Sequence, residues 1–257
     1  MKSQFGRSFL IFIFLLGGAK ASARVFSFET ENFAAVLEGT FGTTHLAQDG
    51  FAANKGGGVS LSENYNYTGS AKLGFALAPG DKMNFVFGLE VLRPLSISAA
   101  KGNNASGTQL YTFDSTLIAL NPMFAVEYAY SRSGNVRYLF GVGLGYGQVT
   151  TTNEFNMTET GVSELGVSSY KETLKGSAIN GYTSLGLEAH FVDKATFTFQ
   201  AGYRLFKVHE LKHGSSLTNV GEGAVSDGDI AYNADGSKRK VDLTGMFLSM
   251  GFRIYIP

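Results

Sequence analysis

The four histidines are the first place to look for chemistry, since the chain has no cysteine. His209-Glu210-Leu211-Lys212-His213 matches the H-E-x-x-H pattern, in which a helix sets two imidazoles one turn apart to share a zinc. Here the pattern follows the strand-like TFTFQAGYRLFKV and precedes Gly214-Ser215-Ser216, with no helix-periodic apolar residues around it. On an extended chain the two rings lie about 13 Å apart, at a rise of about 3.3 Å per residue, too far to share one ion. His45, His209 and His213 fall at the bases of predicted loops with Ser and Glu nearby, the groups a lipid hydrolase or acyltransferase would use, but no spacing selects a triad. Gly141-Val142-Gly143-Leu144-Gly145-Tyr146-Gly147 is glycine-rich without being a phosphate cradle. Its glycines alternate inside a strand instead of marking a strand-to-helix junction, and they read as small residues facing a crowded interior. The expectation is no catalytic residue, no metal, no cofactor and no enzymatic activity.

A second set of residues carries more information. Along segments that alternate apolar and polar residues, the polar side carries Glu38, Lys72, Glu90, Glu127, Arg137, Glu188, His190, Arg204 and Arg253. Four acids stand against four bases and one histidine. Counting residues from the nearest tight turn sorts them into two neutral layers. Glu127, Arg137, Glu188 and Arg253 lie near one end, and Glu38, Lys72, Glu90 and Arg204 lie higher. Charges in a narrow interior are expensive unless paired and hydrogen-bonded, so they are expected to form a lumen charge network.

The elements that must position these residues are strands. Tyr65, Tyr67, Ala71, Leu73, Phe75 and Leu77 alternate with Asn66, Thr68, Ser70 and Lys72, a period of two longer than an ordinary strand. The pattern recurs from Phe33 to Thr44, Met83 to Val91, Ile118 to Tyr130, Val136 to Tyr146, Ile179 to Phe191, Thr196 to Phe206 and Val241 to Ile256. Between these eight segments, tight turns at 79–81, 131–135 and 192–194 alternate with long polar stretches at about 45–63, 97–111, 150–174 and 208–240. Short connections on one side and long loops on the other mark an up-and-down transmembrane barrel with both termini in the periplasm. Hydrocarbon tolerates no open sheet edge, so the sheet must close, and eight strands leave an interior that side chains fill. Tyr65, Tyr67 and Tyr146 fall at outer strand ends, with Tyr128, Tyr130, Tyr138, Phe191 and Phe197 at inner ends, as two interfacial girdles require.

Composition agrees. Gly reaches 33, Phe plus Tyr 34 (22 and 12), and charged residues only 16%, with a formal net charge of zero. Zero net charge argues against nucleic acid or an acidic lipid surface as a partner. Met1–Arg7 is basic, Ser8–Ala19 apolar, and Ala21-Ser22-Ala23 small-x-small, the order of a secretory signal peptide cut after Ala23. Residues 1–23 are therefore expected to be removed and 24–257 to form one barrel domain.

These segments, with FGVGLGYG and the final MFLSMGFRIYI, resemble the small eight-stranded Gram-negative outer-membrane barrels, the group of the outer membrane protein A barrel domain, OmpX and OmpW. The resemblance covers essentially residues 24–257. It departs in one place, because Ile256 is followed by Pro257 where such chains usually end on an aromatic residue read by the assembly machinery. It implies an all-β, eight-stranded antiparallel up-and-down fold in the outer membrane. The implied partners are outer-membrane lipid, lipopolysaccharide and the barrel-assembly machinery, with an extracellular ligand at the loops. The implied role is structural and surface-presenting with a plugged lumen. The alternatives are a narrow charge-gated pore, an outer-membrane lipid-modifying enzyme and a soluble ligand-binding barrel.

Overall fold

A computed structural model describes residues 26–28, 30–44, 60–61, 67–219, 222–233 and 236–256. The expected signal peptide, Tyr65, His45 and Pro257 lie outside these residues. Eight strands form the wall: β1 Phe33–Thr43, β2 Tyr67–Leu77, β3 Met83–Pro94, β4 Gln109–Ser133, β5 Val136–Met157, β6 Tyr170–Val192, β7 Ala195–Leu205 and β8 Gly245–Tyr255. Each is antiparallel to the next, and β1 pairs with β8, which closes the ring. Closure leaves no wall strand without a partner on either side at membrane depth, as hydrocarbon demands. The tight turns fall where the sequence puts them, and two rest on left-handed residues, Gly134 at φ 56° and Asp193 at φ 40°. Among the described residues no helix is long and apolar enough to cross a membrane.

The wall is uneven. β1, β2, β7 and β8 have 11 residues each, a length that crosses a bilayer once. In contrast β4, β5 and β6 have 25, 22 and 23. This corrects the expectation of loops at 97–111 and 150–174. Ile97–Asn103 is itself a strand paired with β4, and β4, β5 and β6 continue upward through most of the supposed loop residues. A two-turn helix α1, Glu159–Leu165, joins β5 to β6, capped by Thr158 Oγ1 accepting from the Gly161 N–H and closed by Gly166 at φ 68°.

The stretch at 208–240 is not a free polar loop either. Leu211, Ala231, Val241 and Leu243 are buried with Leu92, Ile97, Leu110, Phe113, Leu117, Val149, Phe155, Leu174 and Phe206 in one apolar core inside the tall part of the wall. The last wall strand accordingly starts at Gly245 instead of Val241, because Val241–Asp242 pairs with Lys207–Val208 in this cover. The outside of the shorter, lower band is apolar: Leu37, Phe41, Leu73, Leu89, Phe124, Phe140, Val142, Leu144, Ile179, Leu185, Leu248 and Met250 are all exposed. Tyr67 and Tyr146 lie exposed at its upper edge, and Tyr128, Tyr130, Tyr138 and Phe191 at its lower edge. Phe197, half-buried, lies at that lower edge too.

Candidate functional site

Cross-strand register assembles the charge network. Period two turns alternate residues inward, and antiparallel pairing then sets inward residues of adjacent strands side by side. Arg137 lies opposite Glu188, Asn84 opposite Glu127, and Lys72 opposite both Glu38 and Glu90.

In the lower layer Arg137 donates from Nε and Nη2 to Glu188 Oε2 at 3.0 and 2.8 Å, and from Nη2 also to Asn84 Oδ1 and the Tyr255 hydroxyl. Arg253 bridges two carboxylates, donating from Nη1 to Glu188 Oε2 at 3.0 Å and from Nη2 to both oxygens of Glu127 at 2.6 and 2.7 Å. Tyr255 and Thr196 donate to the other Glu188 oxygen, and Asn84 and Gln200 complete Glu127. Arg137 and Arg253 are among the largest fully buried side chains, so these pairs are dry. Neutral donors filling the remaining lone pairs are what makes such burial tolerable.

The upper layer holds Lys72 against Glu38 at 2.8 Å and Arg204 against Glu90. Ser70 and Asn121 also donate to Glu90, and Asn180 donates to Asn121. Eight of the nine sequence-derived residues therefore meet in two layers. His190 does not join them. It sits half-buried at the lower rim, its ring stacked on Phe26 at 4.6 Å and its Nε2 3.0 Å from the Asp193 carbonyl oxygen. It lies beyond the last ion pair, where the strand leaves the lumen for the turn. Phe28 closes the floor, its ring 4.3 Å from the Arg137 guanidinium carbon in a cation–π contact.

A third buried charge cluster escaped sequence reasoning. Glu172, fully buried on β6, accepts from Arg239 Nη1 and Asn153 Nδ2, and Ser115 donates to Asn153. Arg239 lies 3.8 Å from Glu222, which accepts from Asn219, from the Tyr232 N–H, and lies 3.2 Å from His213 Nε2. Burial opposes the charge on Arg239, but the Glu172 carboxylate beside it outweighs burial and holds its pKa above the ordinary value. The signal was present only as charges inside segments read as loops. His213 is buried here while His209 is exposed, and no group of metal-ligating side chains forms among the described residues.

The glycine row does face the lumen. A Cβ on Gly143 would enter the Tyr182 ring, one on Gly145 would meet Asn121, and one on Gly147 would enter the Phe206 ring. Two cavities lined by described lumen residues are small: one beside Glu38, Lys72 and Glu90 and one beside Thr40, Thr68 and Arg204, about 10 Å³ each.

A closed eight-stranded ring, apolar outside and charge-paired inside, defines a transmembrane β-barrel. No family model and no curated protein matches the chain. Among solved structures it is similar to the outer membrane protein OprG from Pseudomonas aeruginosa, at 14% identity and TM-score 0.45 over 89% of this chain and 97% of that one. It is also similar to the outer membrane protein AlkL, at 16% and 0.40 over 93% and 96%. A third is the outer membrane protease OmpT from Escherichia coli, at 12% and 0.34 over 91% and 100%. The likeness is one of fold.

Proposed function

We propose that this chain is a non-enzymatic protein of the Gram-negative outer membrane, a closed structural barrel that presents a folded extracellular cover. The observation that carries this reading is the filling of the lumen. From floor to mouth it holds Phe28, the lower ion-pair layer, the upper ion-pair layer, and an apolar core under the 206–243 cover. The two cavities described among these layers, about 10 Å³ each, have room for roughly one water each. Opening a pore would require breaking buried ion pairs and moving an apolar core together. Cleavage after Ala23 and insertion by the barrel-assembly machinery belong to the same proposal.

The test is single-channel conductance of the folded chain in a planar bilayer, with Glu127→Ala and Arg137→Ala beside it. Silence in all three, with folding shown by heat-modifiable gel migration, is the expected result. Discrete wild-type openings that grow when either charge is removed would establish a charge-gated pore instead. N-terminal sequencing of the envelope form checks the cleavage site.

A further inference from the structure

The outside of the wall carries a charged feature that the lumen does not use. Above Tyr146 on β5 and Ile179 on β6 the outward residues turn polar, to Gln148 and Thr150 on one strand and Ser177 and Lys175 on the other. The free edge of β6 is extended there by the short strand Lys212–His213, whose register sets Lys212 directly opposite Lys175. Two like charges facing each other across an antiparallel pair are destabilising on their own. Neither ammonium makes an ion pair with another described residue, and the neighbouring Glu210 is held by Lys238 at 2.7 Å. The pair borders a hollow of about 420 Å³, lined also by Gln148, Thr150, Ser177 and one acid, Asp227. Tyr146 donates its hydroxyl to Ser177 Oγ at 2.8 Å, which leaves the Ser177 proton for another acceptor.

The height of the hollow selects the ligand. Lys175 lies four residues beyond Ile179, about 13 Å along the strand at about 3.3 Å per residue. That is about 10 Å along the membrane normal at a tilt of roughly 35–45°. The head-group region begins where the hydrocarbon ends and is about 5–8 Å deep on each side. A lysine stem bends back over that distance while its ammonium stays in the polar layer.

We infer that this hollow binds the anionic phosphate head group of a membrane lipid. Lys175 and Lys212 are the paired counter-charges, and Gln148, Thr150 and Ser177 are further donors. The inference rests on the reading that the apolar belt below it lies in a membrane.

The test is a calorimetric titration of the full chain, purified in neutral detergent, with dihexanoyl phosphatidic acid. Parallel arms use dihexanoyl phosphatidylcholine and inorganic phosphate. Phosphatidic acid should saturate one site, at least about tenfold more tightly than either alternative, and Lys175→Gln with Lys212→Gln should weaken it at least about tenfold. Lys171→Gln, at an exposed lysine 3.9 Å from Glu154, should bind as wild type does. Undiminished binding by the double variant, or inorganic phosphate binding as tightly as the lipid, would overturn the assignment. Equal binding of phosphatidylcholine would do the same, because it would mean contact with the lipid without recognition of its charge. Recovery of the chain in the outer-membrane fraction tests the underlying reading separately, since the titration in detergent does not depend on which membrane supplied it.

Discussion

Replacing Arg253 by Met removes the one side chain that joins both lower carboxylates while keeping most of its volume. Three charged hydrogen bonds disappear, two to Glu127 and one to Glu188. Their losses are unequal. Glu188 keeps Arg137, Tyr255 and Thr196, whereas Glu127 keeps only the amides of Asn84 and Gln200. The cost therefore concentrates on Glu127, which becomes a buried carboxylate without a cation in direct contact. Two charge-assisted bonds at about 1.5–3 kcal/mol each give roughly 3–6 kcal/mol. Breaking one side of a buried pair by mutation costs about 3–5 kcal/mol, and the two figures agree. Adding Glu127→Gln removes the orphaned charge, and its single amide oxygen keeps the bond from Asn84 or the one from Gln200, not both. The double variant is expected to recover more than half of the loss, a coupling of about 2 kcal/mol or more. Urea unfolding of barrels refolded into phospholipid vesicles measures this by far-UV circular dichroism, since the chain has no tryptophan. The slope against urea must stay constant for the comparison to hold. A single variant within about 1 kcal/mol of wild type, or a double variant no more stable than the single, would refute the idea that pairing sustains these charges.

Further outcomes follow from the same structure. Arg239→Met should loosen the cover without unfolding the wall, since Arg239 ties the cover segment to Glu172 of β6. Trypsin should then cut faster after Lys207, Lys212, Lys238 or Lys240, while the lower ring, which keeps its own ion pairs, stays folded. Gly147→Ala should cost about 1–3 kcal/mol, because the new methyl enters the Phe206 ring and that ring lies fully buried in the apolar core. Glu210 is held below its usual carboxylate pKa by the hydrogen bond from Lys238. A depressed carboxylate stabilises the fold above its unfolded pKa and loses that effect as pH falls through the folded one. Because Glu210 lies at the surface with its side chain 39% exposed and screened by water, Glu210→Gln should leave the unfolding midpoint unchanged at pH 7 and pH 3, and a clear difference at pH 7 would contradict this.

The lower wall was legible because lipid enforces one rule on every strand, apolar outward and polar inward. That rule alone places Glu38, Lys72, Glu90, Glu127, Arg137, Glu188, Arg204 and Arg253 in the lumen and orders them by depth. His190 obeys the alternation but lies too near the turn between β6 and β7 to reach the other charges. The neutral partners Asn84, Gln200 and Tyr255 were not legible as such, because a polar residue facing inward does not announce which carboxylate it serves. Glu172, Glu222 and Arg239 were hidden for a different reason. They belong to residues whose composition is polar enough to read as loop, and only the pairing of β4, β5 and β6 reveals the wall beneath.

That misreading has a physical origin in the change of solvent along a single strand. On β5 the outward residues Tyr138, Phe140, Val142, Leu144 and Tyr146 are apolar, and the next outward ones, Gln148, Thr150, Thr152 and Glu154, are polar. The inward residues change as well, from Arg137, Leu139 and the glycines to Val149 and Phe155, with the buried polar Thr151 and Asn153 of the Glu172 cluster between them. β6 reverses level with β5, and β4 further up, since the apolar Leu120 and Ile118 of β4 still pair with Gln148 and Thr150. Ile118 gives way outward to Thr116 and Asp114 while Leu117 and Phe113 point in. Ile179 gives way to Ser177 and Lys175 while Leu174 points in. The period of two never breaks; its phase inverts where the outer face passes from hydrocarbon to water. Below that level the exterior is matched to lipid and the interior carries paired charge. Above it the wall is built like a water-soluble barrel, whose stability comes from an apolar core. The cover segment supplies part of that core with Phe206, Val208, Leu211, Ala231, Val241 and Leu243. A tall wall without the cover would expose that core to water at the mouth, and the cover without the wall would have nothing to bury against. The two are one folding unit, so cutting the cover should destabilise the upper ends of β4, β5 and β6 while the lower ring, held by lipid and ion pairs, stays closed.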